Sequence, residues 1–258
     1  MSGSIWTAGS FFLEPGLNDL NPNLALSVEN VNVAYGKVRA LHGLTLAIPE
    51  GETFGLMGLN GAGKTTLIKS ILGLRDVESG QIHVFGQERM TAESRRKYAY
   101  LPERFEPPWF LKGIEFIRFS MKLYKAEFRD GLARDMARRL GLDPAALDRR
   151  VQTYSKGMRQ KLGLMGTVLT GCGLLILDEP MSGLDPRARA AVKDMLLETK
   201  AQGKTIFLSS HILADMDEIC NRVGVLHEGR LLYAGSPSGL KDNSGTDNLE
   251  RAFLKRIA

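Results

Sequence analysis

The sequence is poor in the residues that build several common kinds of site. It has two cysteines, Cys172 and Cys220, far apart and in no ligand spacing. That excludes a disulfide scaffold and a cysteine-rich metal centre, and both read as buried thiols of a reducing compartment. No apolar run approaches the roughly 18 residues that span a bilayer. The first residues, "MSGSIWTAGSFFLEPGLNDLNPN", lack a basic start and a long apolar stretch, so they read as a flexible lead-in and not as a signal peptide. There is no internal repeat and no low-complexity segment. No basic stripe interleaved with aromatics runs along the chain, so single-stranded nucleic acid is not an expected partner.

What is present is ordinary in bulk. With 258 residues, 43% of them hydrophobic, the chain can bury one substantial core or a large domain with a smaller lobe. A formal net charge of +5 permits contact with phosphate or an anionic membrane face and demands neither. "LSVENVNVAYG", "LTLAIPEG" and "QIHVFGQ" alternate apolar and polar residues, as half-buried strands do. They predict a small antiparallel β layer near the start. "ETFGLMGL", "GLLILDE" and "KTIFLSS" are too apolar to face water on either side and suit the centre of a parallel sheet covered by helices. Residues 104 to 170 carry helical spacing and no convincing strand, so a helical lobe is expected to be inserted there. "LDPRARAAVKDMLLETKAQG" reads as a helix capped by Asp185, with Pro186 in its first turn and Gly203 past its end.

The chemistry concentrates in two places. "GLNGAGKT", Gly58 to Thr65, fits G-x-x-x-x-G-K-[ST] between a predicted strand and a predicted helix, the context this phosphate-binding loop requires. Asn60, Gly61, Ala62 and Gly63 form a backbone whose N–H groups can converge on one anion, aided by the helix N-terminus. Lys64 can reach the β and γ phosphates, Thr65 can offer a hydroxyl to Mg²⁺, and Thr66 can support a phosphate oxygen. The second place is "LLILDEPMSGLDP", where a buried strand runs straight into Asp178 and Glu179. Asp178 is placed to hold Mg²⁺ through water, and Glu179 to polarise an attacking water as a general base.

Several further segments, taken in order, make the chain resemble the ATP-binding cassette (ABC) ATPases over about residues 26 to 240. "YSKGMRQ" corresponds to the family's signature, "SGLDP" to its D-loop, "LSSHIL" to the segment with its switch histidine, and Tyr35 in "VAYGKVRAL" to the aromatic that stacks on adenine. The resemblance implies a P-loop α/β core, an antiparallel β layer and an inserted helical subdomain. It also implies that Ser155 and Gly157 meet the γ phosphate held by a second copy, that His211 contacts γ phosphate and water, and that Asp185 couples the two sites; as a cap, Asp185 can do both. ATP and Mg²⁺ are the implied ligands. Two positions depart from the family pattern. Lys156 stands where many members have the signature's first glycine, and Glu103 in "YLPERFEPP" stands where glutamine is frequent. Glu103 can still meet Mg²⁺ or its waters.

The layout expected from these readings is an extension at 1–24, an ATPase domain at 25–240 with its lobe at about 104–170, and a short tail at 241–258. The lobe segment 104–161 holds 14 Lys and Arg against 7 Asp and Glu, read as a solvated face in preference to a nucleic-acid surface. The family uses this lobe to touch a membrane subunit, and Trp109 and Phe110 are candidates for that groove. "YLPERFEPPWFLKGIEFIRF" and the closing "NLERAFLKRIA" are similar to the ATPases of two-component exporters. That implies a cytoplasmic protein, peripheral on the inner membrane face through a separate integral membrane subunit. A soluble ABC protein acting elsewhere, or an ATP-gated module without useful turnover, are the alternatives. The first is disfavoured by the single cassette, the second by the intact Lys64, Asp178, Glu179 and His211.

Overall fold

The structure, a computed structural model, describes residues 23–258. Residues 1–22 of the expected extension lie outside the described residues. The chain runs β1 (Leu24–Tyr35), β2 (Val38–Pro49), β3 (Thr53–Met57), α1 (Lys64–Ile71), β4 (Ser79–Val84), β5 (Gln87–Glu88), α2 (Ala92–Arg95) and β6 (Tyr98–Leu101). It continues through α3 (Gly113–Leu123), α4 (Asp130–Arg139), two short 3-10 turns, α5 (Lys156–Val168), β7 (Leu174–Asp178) and α6 (Pro186–Ala201). Then follow β8 (Thr205–Ser209), α7 (Leu213–Ile219), β9 (Arg222–His227), β10 (Arg230–Gly235), α8 (Pro237–Asn243) and α9 (Leu249–Ile257).

The predicted antiparallel layer is a four-stranded sheet in the order β2-β1-β4-β5. In β1 the alternation changes phase halfway. Leu26 and Val28 are buried, and so are Val31 and Val33. A register shift between Val28 and Val31, with Asn30 at φ 49°, lets both pairs face one core. An extra residue at a bulge flips the side-chain parity in this way. That core also takes Leu67, Ile68 and Ile71 from α1 and Phe54 and Leu56 from β3.

The second sheet has six strands in the order β10-β9-β3-β8-β7-β6, parallel from β9 to β6 with β10 antiparallel at one edge. Every residue of β3, β7 and β8 is buried, which explains their unbroken apolar runs. Register fixes where these strands stop. Ser209 at the end of β8 pairs with Leu56 on one side and Asp178 on the other. The helices of the lobe, α3 to α5, lie between β6 and β7. Gly163 lets α5 pass close over the sheet, since a Cβ there would come within 2.6 Å of Leu101 and 2.7 Å of Phe105.

Residues 241–258, expected as a short tail, hold the end of α8 and the whole of α9, and Leu249, Ala252 and Phe253 are buried in the same core as the parallel sheet. The spacing of those three puts one stripe of α9 inward, with Asn248 accepting from the Arg251 N–H to cap it. Two adjacent truncations on this helix should therefore differ sharply. Phe253→Ala should cost about 3 kcal/mol. Leu254→Ala, on the exposed side, should stay within roughly 0.5 kcal/mol of wild type. Urea denaturation measures both, and equal losses would mean that α9 is not docked as described.

Candidate nucleotide site

The loop between β3 and α1 is shaped by its glycines. Gly63 holds φ 110°, and a Cβ there would come within 3.0 Å of the Ala40 carbonyl. At Gly58 an added Cβ would press within 2.6 Å of the Leu226 carbonyl. Only glycine tolerates both the left-handed backbone and the close approach. Gly63 is also the N-cap of α1 and offers no side chain to it. The first-turn N–H groups thus have no side-chain acceptor of their own and can turn to an anion. The Lys64 amine folds over the loop, donating to Gly58 O at 2.7 Å and to Leu59 O at 3.3 Å.

The two carboxylates sit across from this loop at the end of β7. Ser209 Oγ donates to Asp178 Oδ1 at 2.5 Å, so one oxygen of the buried carboxylate is fixed. Burial pushes Asp178 above the usual carboxylate range; the Ser209 hydrogen bond opposes this, and the Glu103 charge adds to it. Tyr100 is pushed up to about 12 by burial, with Asp178 and Glu103 contributing. Glu179 leaves the strand at φ 51°, a conformation uncommon for a residue with a Cβ. Its N–H donates to the Ser209 carbonyl at 3.2 Å. Its Oε2 lies 2.8 Å from His211 Nδ1 and accepts from the His211 N–H at 3.4 Å. Glu179 is buried while the His211 side chain is largely exposed.

These groups line one cleft of about 550 Å³. It takes Asn60, Gly61, Gly63, Lys64, Thr65 and Thr66 from the loop, and Glu103, Asp178, Glu179 and His211 from the sheet's end. Ala62 is buried beneath the loop. Tyr35, Ser155, Gly157 and Asp185 lie outside the cleft lining. Ser155 caps α5, accepting from the Met158 N–H at 3.2 Å. Asp185 caps α6, accepting from the Ala188 N–H at 2.9 Å, and that bond holds its carboxyl below the usual range. Gln160, buried on α5, donates to the Pro180 carbonyl at 3.1 Å. The Lys156 stem runs past Gly183, whose Cα would carry a Cβ 3.3 Å from the amine. The segment that follows the carboxylates is thus strapped to the signature helix.

Sequence reasoning missed several of these neighbours. Ser209, the partner of Asp178, was visible only as the polar end of an apolar strand. Leu213, and Glu250, Phe253 and Leu254 of α9, form part of the cleft wall. The amphipathic pattern of "NLERAFLKRI" could have flagged a packed helix, though not its address.

A glycine loop after a buried strand, opposite a carboxylate pair at the end of a parallel one, is the arrangement of the P-loop fold. The chain matches the family model described as ABC transporter over residues 41–182. It is 40% identical over 222 residues to an uncharacterized ABC transporter ATP-binding protein of Synechocystis, covering 85% of this chain and 62% of that protein. The linearmycin resistance ATP-binding protein LnrL of Bacillus subtilis is 30% identical, over 90% of this chain and 76% of its own length. A fluoroquinolones export ATP-binding protein of Mycobacterium tuberculosis is 38% identical, with coverages of 84% and 72%. Among solved structures, an ATP-binding subunit of an ABC transporter superposes with TM-score 0.84 at 32% identity, over 90% of this chain and 99% of that one. This chain belongs to the ABC transporter family. It spans 62% and 65% of the length of two cyanobacterial relatives, from Synechocystis and Nostoc.

The buried Asp178 gives a stability test that needs no turnover. Its pKa is raised on folding, so the folded chain binds more protons than the unfolded one between the two values, and stability falls as pH rises through that window. Asp178→Asn removes the buried charge. In chelator-containing buffer near neutral pH the variant should melt at a higher temperature than wild type. The gain should shrink as pH falls through the raised pKa and the wild-type carboxyl takes up its proton. A lower melting temperature at neutral pH would show that the ionised carboxylate is a net stabiliser.

Proposed function

We propose that this chain binds ATP with Mg²⁺ and hydrolyses it, as the motor subunit of an exporter whose membrane path lies in a separate protein. The observation that carries the reading is the Glu179–His211 pair, 2.8 Å apart, facing the phosphate loop across one cleft. The donor set fits the ligands. Among the described residues no cluster of three His, Cys, Asp or Glu could hold a metal alone. A site with one hydroxyl, Thr65, and one or two carboxylates, Asp178 and Glu103, suits an ion that keeps its waters and binds substrate phosphates. Mg²⁺, when bound, neutralises charge on the β and γ phosphates.

Each residue then has a task. The loop N–H groups and Lys64 hold the phosphates. Ser209 orients Asp178. Glu179 accepts a proton from the water that attacks the γ phosphorus, while the bond from that phosphorus to the bridging oxygen breaks. His211 keeps the Glu179 carboxylate aimed. Ser155 and Asp185 cap helices outside the cleft, and on the family resemblance they and Gly157 serve the site of a second copy across a two-fold axis. The Ser155 hydroxyl accepts from Met158, leaving its own proton free to donate.

Export is supported by a relative named for it, and a membrane path in a separate protein fits described residues among which no helix is long and apolar enough to cross a membrane. The docking surface falls on the lobe. Trp109 and Phe110 are 64% and 57% exposed, with rings edge to face at 5.8 Å. The backbone beneath them is tied down, with Gln152 N–H donating to Trp109 O at 3.0 Å and Val151 N–H to Leu111 O at 2.8 Å. A rigid exposed aromatic pair is an anchor of the kind that dominates interfaces.

Two measurements test this. Glu179→Gln should retain ATP, lose turnover by about two to four orders of magnitude and accumulate as an ATP-bound dimer, while wild-type turnover per chain rises with protein concentration. Loss of ATP binding in this variant, or retained turnover, would remove Glu179 from the base role. Trp109→Ala should keep ATP binding and lose co-purification with the membrane subunit; unchanged assembly would refute the docking role.

A further inference from the structure

Tyr35 closes β1 with 45% of its surface exposed, yet one face of its ring is covered. The guanidinium carbon of Arg75 lies 4.1 Å from the ring centroid. The same guanidinium donates through Nη2 to the carbonyl of Ala34, the residue immediately before the ring. Arg75 therefore grips both the backbone that carries Tyr35 and one face of the side chain. A lysine cannot do both, because only a planar guanidinium stacks and donates together.

Arg75 is itself anchored to the phosphate-loop helix. The N–H groups of Leu74 and Arg75 donate to the Lys69 carbonyl at 2.8 and 3.2 Å, turning the chain back at the end of α1. The Arg75 carbonyl accepts from Arg89 Nη1 at 3.1 Å. Arg89 is buried and also donates to the Ser70 carbonyl. Meanwhile Arg75 Nε is buried without a hydrogen-bond partner. Such a group is costly to leave unpaired, and a guanidinium turned out to water would satisfy it. The arrangement gives up that hydrogen bond to keep the cation on the ring.

We propose that Arg75 is the positioning residue of the adenine platform. It backs one face of Tyr35, presents the opposite face to the base, and registers that face to the helix whose other end forms the phosphate loop. The inference rests on the reading that Tyr35 stacks on adenine. The two ends of one nucleotide are then referenced to the same eight-residue helix, α1. The stacked cation holds the ring against rotation and draws on its π density. That leaves the free face better suited to an electron-rich heterocycle and ordered before the ligand arrives.

The test compares ATP with inorganic tripolyphosphate, which has the phosphates and no base. Calorimetric titrations with Mg²⁺ use wild type, Arg75→Ala, Arg75→Lys, Tyr35→Ala and the Arg75/Tyr35 double variant. Arg75→Ala should weaken ATP about threefold to tenfold and leave tripolyphosphate unchanged. Arg75→Lys should recover only part of the loss, and the double variant should bind ATP no more weakly than Tyr35→Ala. In turnover assays KM for ATP should rise with kcat unchanged. Equal weakening of both ligands by the Lys variant, which keeps stem and charge, would assign Arg75 to the loop and overturn the proposal. Unchanged or tighter ATP binding by Arg75→Ala would overturn it too, the tighter case meaning that Arg75 covers the face the base needs. If Tyr35→Ala leaves ATP affinity unchanged, the adenine reading falls and the proposal falls with it. If Tyr35→Ala weakens ATP and Arg75→Ala does not, only the proposal falls.

Discussion

The site depends on one hydrogen bond and the register that makes it. Ser209 ends β8 opposite Asp178, which ends β7, and its hydroxyl fixes the carboxylate at 2.5 Å. The same serine accepts the Glu179 N–H on its carbonyl and offers its Oγ to that N–H at 3.2 Å. One residue thus fixes the Asp178 carboxylate and the Glu179 backbone at the edge of a hydrophobic sheet, while the Glu179 carboxylate meets His211. Two carboxylates placed so close would be unfavourable without such partners, because buried carboxylates need hydrogen bonds. A slip of one residue between β7 and β8 would turn every side chain over and remove the serine from the carboxylate. The three fully buried strands hold that register through packing on both faces.

The shape of the loop between β3 and α1 was legible because its determinants are local. Eight consecutive residues specify the glycine conformations, the lysine and the hydroxyl. The order of elements was legible too, since the apolar strands and the capped helix after Asp185 carry strong periodic signals. What escaped sequence reasoning was long-range. Ser209 becomes the Asp178 partner only through strand pairing. Glu250 and Phe253 reach the cleft wall from the far end of the chain, which no local pattern reports. The left-handed backbone of Glu179 is likewise set by its bonds to β8, not by its own preference.

Glu103 and Lys156, the two departures from the family pattern, have different surroundings. Glu103 lies in the cleft and acts electrically on Asp178, raising the cost of ionising it. A cation placed between the two carboxylates would relieve that repulsion. Lys156 stays outside the cleft lining and lays its stem along Gly183. Its charge thus sits beside the α5 N-terminus, where it adds to the positive end of the helix dipole.

The Gln160–Pro180 hydrogen bond has a mechanical meaning. The helical lobe joins the sheet through the chain after β6 and before β7, and α5 packs closely over the sheet at Gly163. Gln160 adds a hydrogen bond to Pro180, one residue beyond Glu179. The lobe is thereby tied to the backbone next to Glu179. Any rigid turn of α5 must either stretch that bond or carry Pro180 with it.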